Sequence, residues 1–173
     1  MSTPINSPDL VPTTDAAALR AAYSCFPSGV VAVCADPGEG RLGMAASSFT
    51  TVSLTPPLVS LCVQNTSTTW PRLRNAPRLG VSVFAKDQGG LVRQLAGPAE
   101  HRFDDIEPLT TADGAVFIPD SAVQLSCSIY NEIPAGDHIL VLLRIESLHA
   151  DVGVDPLVFH ASTFRALETR AIR

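Results

Sequence analysis

The chain has 173 residues, of which 46% are apolar and 17% charged, a composition that fits one globular domain and excludes a mostly disordered protein. Its net charge is −5 and its basic residues are scattered, which argues against a nucleic-acid partner. Because its apolar runs are far shorter than the roughly 18 residues that indicate a membrane span, and its first residues lack the regions of a signal peptide, we expect a cytoplasmic protein with no membrane segment.

The N-terminal part of the chain predicts a tail followed by a helix. Residues 1–13 contain three prolines and several Ser, Thr and Asn residues, which is typical of a disordered segment. Apolar residues then recur at helical spacing between Leu19 and Phe26, Thr14 or Asp15 can cap the start, and a proline follows the end. This pattern predicts one amphipathic helix of about three turns.

The next segments have the alternation of β-strands. Residues 30–35 and 42–52, joined by a turn over residues 36–40, predict a hairpin. After two prolines, residues 58–64 have few polar positions on either face, which predicts a strand buried on both sides.

The remaining pattern predicts two short helices, residues 68–73 and 90–95, and strands over residues 79–85, 122–130, 138–148 and 156–160. Strands dominate and there is no alternation of strands with helices, so a small antiparallel barrel with a few flanking helices is expected. We expect one domain over residues 14–168 and a C-terminal tail over residues 169–173.

The sequence favours neither a zinc site nor a dinucleotide-binding turn. Cys25, Cys34, Cys62 and Cys127 lack the close pairs that zinc sites use, so we expect reduced, buried thiols and no metal. Residues 38–43 match the GxGxxG pattern of dinucleotide-binding turns, but no helix pattern follows and the required acidic residue is missing. Turn glycines of a hairpin are the better interpretation.

Small side chains at residues 43–48 indicate a candidate ligand site. Four consecutive small residues give a strand little packing energy, and they either make room for a flat aromatic ligand or allow close packing between strands. In the first case the hydroxyls of Ser47 and Ser48 could bond the polar edge of the ligand or its phosphate. Both interpretations are open from this segment alone.

Two further segments could contribute to the same site. The polar cluster over residues 64–69 follows a strand predicted to be buried and includes the start of a predicted helix, so it could either bind an anion or merely cap the helix. Four hydroxyls, from Thr66 to Thr69, exceed what a cap needs. His138 follows a turn and precedes an apolar strand, which would place it at the mouth of a barrel.

Taken together, these segments resemble the flavin reductase family, the reductase components of two-component flavin monooxygenases. The resemblance covers residues 15–168 in order and spacing. Its motifs are Phe26-Pro-Ser-Gly-Val-Val-Ala-Val, Gly43-Met-Ala-Ala-Ser-Ser-Phe-Thr with the residues that follow as far as Ser60, Ser67-Thr-Thr-Trp-Pro, Leu79-Gly-Val-Ser-Val-Phe-Ala, and Gly136-Asp-His.

The resemblance implies an antiparallel split β-barrel, usually a homodimer, that reduces FMN or FAD with NADH or NADPH and supplies the reduced flavin to a partner monooxygenase. It also implies roles for eleven residues. Ala46, Ser47 and Ser48 would line the isoalloxazine, Gln64 and Asn65 would border the ring, and Ser67 and Thr69 would lie near the ribityl phosphate; Ala85 and Gln88 would close the pocket, Phe103 would pack on the cofactor, and His138 would meet the nicotinamide nucleotide. Hydride transfer between cofactors needs no nucleophile from the protein, so the absence of a catalytic triad motif is expected.

One departure from the family pattern motivates an alternative. The strand after Gly136-Asp-His often carries a glycine five positions beyond the histidine, and here Leu143 could narrow the approach of the nicotinamide. The alternative is a flavin-binding protein of the same fold with lost or altered reductase activity, acting as a carrier or tailoring enzyme. A third hypothesis, from another class, is a small hydrolase that uses Ser47 or Ser48 with His138 and Asp137.

Overall fold

Antiparallel strands make up most of the regular structure in the computed structural model, which describes residue 12 and residues 14–168. The tails predicted over residues 1–13, apart from residue 12, and over residues 169–173 lie outside the described residues. In chain order the strands are β1 (Ser28–Gly29), β2 (Val31–Ala35), β3 (Leu42–Ala46), β4 (Thr50–Leu54), β5 (Pro57–Gln64), β6 (Leu79–Val83), β7 (Leu109–Thr110), β8 (Val116–Phe117), β9 (Val123–Ala135), β10 (His138–Ala150), β11 (Val158–His160) and β12 (Thr163–Arg165). The helices are α1 (Ala16–Ser24), α2 (Trp70–Leu73), α3 (Gly89–Leu95) and a 3₁₀ turn, Ala99–His101.

The main sheet has seven strands in the spatial order β3-β2-β6-β9-β10-β5-β4, and all its pairs are antiparallel. Strands β3 and β4 are neighbours in the chain but occupy opposite edges of this sheet. A flat sheet would place them about 29 Å apart, at roughly 4.8 Å per strand, whereas residues 47–49 can span only about 14 Å. The sheet must therefore curl into a barrel, which confirms the predicted fold class.

Two hydrogen bonds extend the pairing of β4 with β5 into the link that follows β3. The Ser48 hydroxyl accepts from the Cys62 N–H (2.9 Å) and donates to the Cys62 carbonyl (3.1 Å), so it ties the link between β3 and β4 to strand β5. The hairpin predicted over residues 30–52 is therefore right only as far as Ala46, where the chain leaves β2 to join the far edge. The end of the chain also differs from the prediction. Of the predicted segment 156–160 only residues 158–160 form a strand, β11, and a strand that was not predicted, β12, follows it.

Strand β2 is buried on both faces because it separates two apolar clusters. Val31, Val33 and Ala35 belong to the cluster inside the barrel, which also contains fully buried Leu61 of β5. The alternate residues of β2 pack outside the barrel against helix α3, where Leu95 is fully buried. This double coverage anchors β3, the neighbour of β2, at one edge of the sheet.

Helix α1 begins as predicted at an Asp15 cap, whose carboxylate accepts from the N–H groups of Ala17 and Ala18. None of its residues is buried. Tyr23 is 69% exposed, and Phe26, just beyond the helix, is 77% exposed. The apolar side of α1 therefore has no cover within the described chain. No helix among the described residues is long and apolar enough to cross a bilayer.

The four cysteines, all within the described part of the chain, are free thiols. Burial raises the pKa of Cys34 and of Cys127 to about 12, so both behave as small apolar residues. Cys62 is half-buried, and Cys25 is exposed, contrary to the expectation of burial.

Gly80 of β6 permits the closest backbone approach in the barrel wall. A Cβ at this position would lie 2.1 Å from the carbonyl oxygen of Val116, and all three of its nearest atoms belong to the Val116 backbone, which cannot move aside as a flexible side chain can. We expect Gly80→Ala to destabilise the protein by about 3 kcal/mol, a lowering of the melting temperature by roughly 10 °C for a domain of this size. Gly90→Ala is the matched control, because its Cβ meets nothing within 4 Å; equal melting temperatures for the two variants would contradict the prediction.

Candidate functional site

A cavity of about 480 Å³ opens beside the point where β3 leaves the sheet. This volume lies within the range of small-molecule sites. Its walls come from the end of β3, the end of β5, the segment before α2, the end of α3 and the start of β10. The lining residues are Met44, Ala45, Ala46, Ser47, Ser48, Cys62, Val63, Gln64, Thr66, Ser67, Thr68, Thr69, Leu95, Ala96, Arg102 and His138.

The small residues of this segment serve two different purposes. Gly43 permits close packing, since a Cβ there would lie 2.8 Å from both the Cys34 sulfur and the Phe103 ring. Ala45, Ala46 and Ser47 instead line the cavity. Strand β3 lies at an edge of the sheet, and among the described residues β2 is its hydrogen-bonded partner. From residue 45 onward, the space is therefore available to a ligand.

A polar segment, residues 66–69, forms the opposite wall. The Ser67 hydroxyl accepts from the Trp70 N–H (3.1 Å), so one side chain is sufficient to cap helix α2. The hydroxyl of Thr69 accepts from the Arg102 guanidinium (2.8 Å). Thr66 and Thr68 also line the cavity, and neither side chain bonds another described residue. The hydroxyls of Thr66 and Thr68 are therefore not used by the described part of the chain, and they are available to a polar ligand in the cavity.

Arg102 is the cation that lines the cavity, and no sequence motif marks it as a site residue. It is half-buried; its Nη1 donates to the Gly43 carbonyl (2.7 Å) and to Thr69, and its Nε donates to the Gly97 carbonyl (2.9 Å). Within residues 14–168 no carboxylate pairs with it and no group accepts from Nη2. A held guanidinium that lacks an acidic partner and lines a cavity is suited to bind an anionic ligand.

A fixed scaffold holds that polar wall in place. Glu132 of β9 accepts a hydrogen bond from the Trp70 indole N–H (2.8 Å) and forms an ion pair with Arg74. Trp70 is almost fully buried, so its indole N–H requires this acceptor. Helix α2 is thereby attached to the barrel wall, and the segment before it is positioned at the cavity.

His138 lies at the mouth of the same cavity, as the first residue of β10, paired with Gln64 of β5. Its Nδ1 lies 2.7 Å from an Asp137 carboxylate oxygen. The hydrogen bond from His138, followed by the charge of that ring, lowers the pKa of Asp137 below its ordinary value. With Nδ1 engaged, Nε2 is the ring atom that can meet a ligand.

The structure brings seven of the eleven predicted site residues to the cavity lining and places four elsewhere. The seven are Ala46, Ser47, Ser48, Gln64, Ser67, Thr69 and His138. Asn65 holds the turn that carries His138, since its side chain donates to the Gly136 carbonyl (3.2 Å) and its N–H to the Asp137 carbonyl (3.0 Å).

The other three predicted residues also lie outside the cavity lining: Ala85 and Gln88 are near the start of helix α3, and Phe103 is beneath β3. The Gln88 side chain accepts from the Ala85 N–H (2.9 Å) and donates to the Pro119 carbonyl (2.7 Å), so this pair fixes the turn that begins α3. Phe103 packs under Gly43 and lines a second depression rather than the main cavity.

These contacts argue against two expectations from the sequence. Leu143 is fully buried among the residues inside the barrel and does not line the cavity, so it does not narrow the approach to it. The Ser48 hydroxyl donates to the Cys62 carbonyl, and among the described residues neither Ser47 nor Ser48 bonds His138. The hydrolase hypothesis therefore lacks the hydrogen bond between nucleophile and base that it requires.

Residues 23–168 match the family model described as "Flavin reductase like domain". The chain is 36% identical over 154 residues to an NADH-dependent flavin reductase of a Rhodococcus species, covering 87% of this chain and 85% of that protein. It is 33% identical over 154 residues to the actinorhodin polyketide dimerase of Streptomyces coelicolor, covering 88% and 87%. The solved structure of an NADH:FAD oxidoreductase of Streptomyces globisporus C-1027, in complex with NAD and FAD fragments, matches with a TM-score of 0.87 and 31% identity, covering 95% of this chain and 99% of that one.

Proposed function

The chain belongs to the flavin reductase family, and from this membership we propose that it is an NAD(P)H-dependent flavin reductase that acts on FMN or FAD and supplies the reduced flavin to a partner monooxygenase. The observation that supports the proposal is the cavity itself. Small side chains wall one side of it, and the other is lined by threonine hydroxyls and by an arginine that has no acidic partner among residues 14–168. This donor set fits a flat ring joined to a phosphate.

In this proposal each wall of the cavity holds a different part of the flavin. Ala45, Ala46 and Ser47 would pack against the ring, and Gln64 would border its polar edge. Arg102 and the segment 66–69 would bind the phosphate, because a guanidinium and hydroxyls form charge-assisted hydrogen bonds with it. When bound, the flavin supplies the chemistry by accepting hydride from the nicotinamide. The chain supplies the position of the two rings and excludes water between them.

His138 would position the nicotinamide nucleotide at the cavity mouth. Asp137 holds one ring nitrogen of His138 at 2.7 Å, which fixes the ring and leaves Nε2 free to bond the nucleotide. His138 is thus a positioning group, and hydride transfer requires no proton from it.

The alternative function, a flavin-binding tailoring enzyme with altered reductase activity, keeps one specific support. The similar protein from S. coelicolor is named a polyketide dimerase rather than a reductase. The argument from Leu143 no longer contributes, because that side chain lies in the core. Tight flavin binding without oxidation of NADH or NADPH would favour the alternative.

We also propose that residues 14–168 form a single domain and that the protein is a homodimer of the cytoplasm. The exposed aromatic side chains of Tyr23 and Phe26 support a dimer, because apolar surface of this kind marks interfaces. Four free thiols are in keeping with a reducing compartment.

The proposal is tested by titrating the purified protein with FMN and FAD and then adding NADH or NADPH without oxygen. We expect flavin binding, followed by loss of the visible flavin absorption on addition of the nucleotide. In His138→Gln, we expect the KM for the nucleotide to rise about tenfold, the cost of one hydrogen bond to a charged ligand, with flavin binding unchanged. Failure to bind either flavin would exclude the proposed function.

A further inference from the structure

A second depression, of about 180 Å³, adjoins the main cavity beneath helix α2. The two spaces share Thr68, Thr69 and Arg102 as a common wall. Arg41 and Arg72 also line the depression. A group bound at Arg102 can therefore continue from the main cavity into this second space.

Three arginines and no acidic residue line the depression, in a chain whose net charge is −5. Arg41, just before β3, and Arg72, on α2, are both exposed. Arg74, two residues after Arg72, pairs with Glu132, and Arg78 pairs with Asp113, whereas neither Arg41 nor Arg72 has an ion pair or a side-chain hydrogen bond within the described residues. These two guanidinium groups are thus available to an anion from outside the chain.

From this arrangement we propose that the depression binds a second phosphate joined to the one at Arg102, and that the protein therefore selects FAD over FMN. This inference rests on the proposed function, since it requires the first phosphate of the flavin at Arg102 and Thr69. FMN ends at that phosphate, and FAD continues through a second one. The depression is smaller than the roughly 300–1,000 Å³ of whole-ligand sites, so it accommodates the second phosphate and leaves the adenosine largely in solvent.

The same phosphate chemistry has a second source, because NADPH carries a 2′-phosphate that NADH lacks. The two sources predict different changes. If Arg41 and Arg72 bind the flavin, replacing them changes the ratio of FAD to FMN affinity in the absence of any nucleotide. If they bind NADPH, replacing them changes the ratio of NADPH to NADH affinity with FMN bound.

The test is the dissociation constant of FAD and of FMN, measured by fluorescence titration of the flavin-free protein. We expect the wild type to bind FAD at least tenfold tighter than FMN, and the double variant Arg41→Gln, Arg72→Gln to lose about tenfold of its FAD affinity, the effect of one charge-assisted contact. The affinity for FMN should not change. Arg144→Gln is the matched control: it removes an exposed arginine six residues beyond His138 along β10, which lines neither space.

Each outcome decides between the proposals. Equal affinities of the wild type for FAD and FMN, or an equal loss for both flavins in the double variant, would overturn the inference and leave the proposed function standing. A change confined to the NADPH to NADH ratio would also overturn it. Binding of neither flavin would overturn both. If the glutamine variant does not fold, as judged by its melting curve, Arg41→Lys with Arg72→Lys must keep the preference for FAD, because lysine retains the charge.

Discussion

Replacing Arg102 with glutamine is expected to weaken FMN binding by about 100-fold while changing riboflavin binding by less than about fivefold, because a phosphate–guanidinium contact contributes about 3 kcal/mol and riboflavin has no phosphate. The guanidinium is held by two backbone carbonyls and Thr69, so it is already oriented before the ligand arrives. A cation fixed in this way binds with little loss of side-chain entropy. Fluorescence titrations with the two flavins measure the effect.

The riboflavin comparison separates binding of the phosphate from support of the fold. Arg102→Gln also removes donors from the Gly43 and Gly97 carbonyls, so we expect some loss of thermal stability. A structural role alone would weaken both flavins equally, and that result would contradict the prediction. Arg102→Lys keeps the charge without the fork of donors, and it should recover part of the FMN affinity but not the thermal stability.

The strands were predictable from sequence wherever their pattern is local. Burial of β5 on both faces follows from its uninterrupted apolar character, and the pairing of β9 with β10 follows from alternation around a short turn. The end of β3 at Ala46 was not predictable, because no proline and no turn signal interrupts residues 42–52. After Ala46 the chain pairs with β5 instead, since the Ser48 contact with Cys62 continues the register of Thr50 with Ser60.

The same distinction explains the candidate site. Ala46, Ser47, Gln64 and Ser67 come from two local segments at strand ends, and such segments meet at one edge of a barrel. Arg102 is held by a nearby carbonyl, that of Gly97, and by two groups distant in the sequence, the Gly43 carbonyl and the Thr69 hydroxyl, and no local pattern marks that convergence.

The alternation of side chains along a strand predicts that Leu143 does not face the cavity. Successive side chains of a strand point to opposite faces, so residues five positions apart in β10 cannot share a face. His138 lies at the cavity, and Leu143 with Val141 is buried inside the barrel.

Replacing Ser47 with leucine is the sharpest test of the cavity wall. Ser47 lies where the main cavity meets two neighbouring hollows, one under Phe159 and Phe164 and one beside helix α1. Its side chain is exposed, so a larger one disturbs no packed core. Leucine would occupy space that the ring needs, and we expect flavin affinity to fall roughly 10- to 100-fold, as overpacking costs about 1–3 kcal/mol.

The control for Ser47→Leu is Thr51→Leu, an equally apolar change at an exposed position of β4 that lines none of these spaces. Both variants should melt close to the wild type, and only Ser47→Leu should lose affinity for riboflavin as well as for FMN. That pattern is opposite to the one expected for Arg102→Gln, because one change blocks the ring and the other removes the phosphate contact. Unchanged flavin affinity in Ser47→Leu would mean that the ring lies elsewhere, and the small side chains at residues 45–47 would then need another explanation.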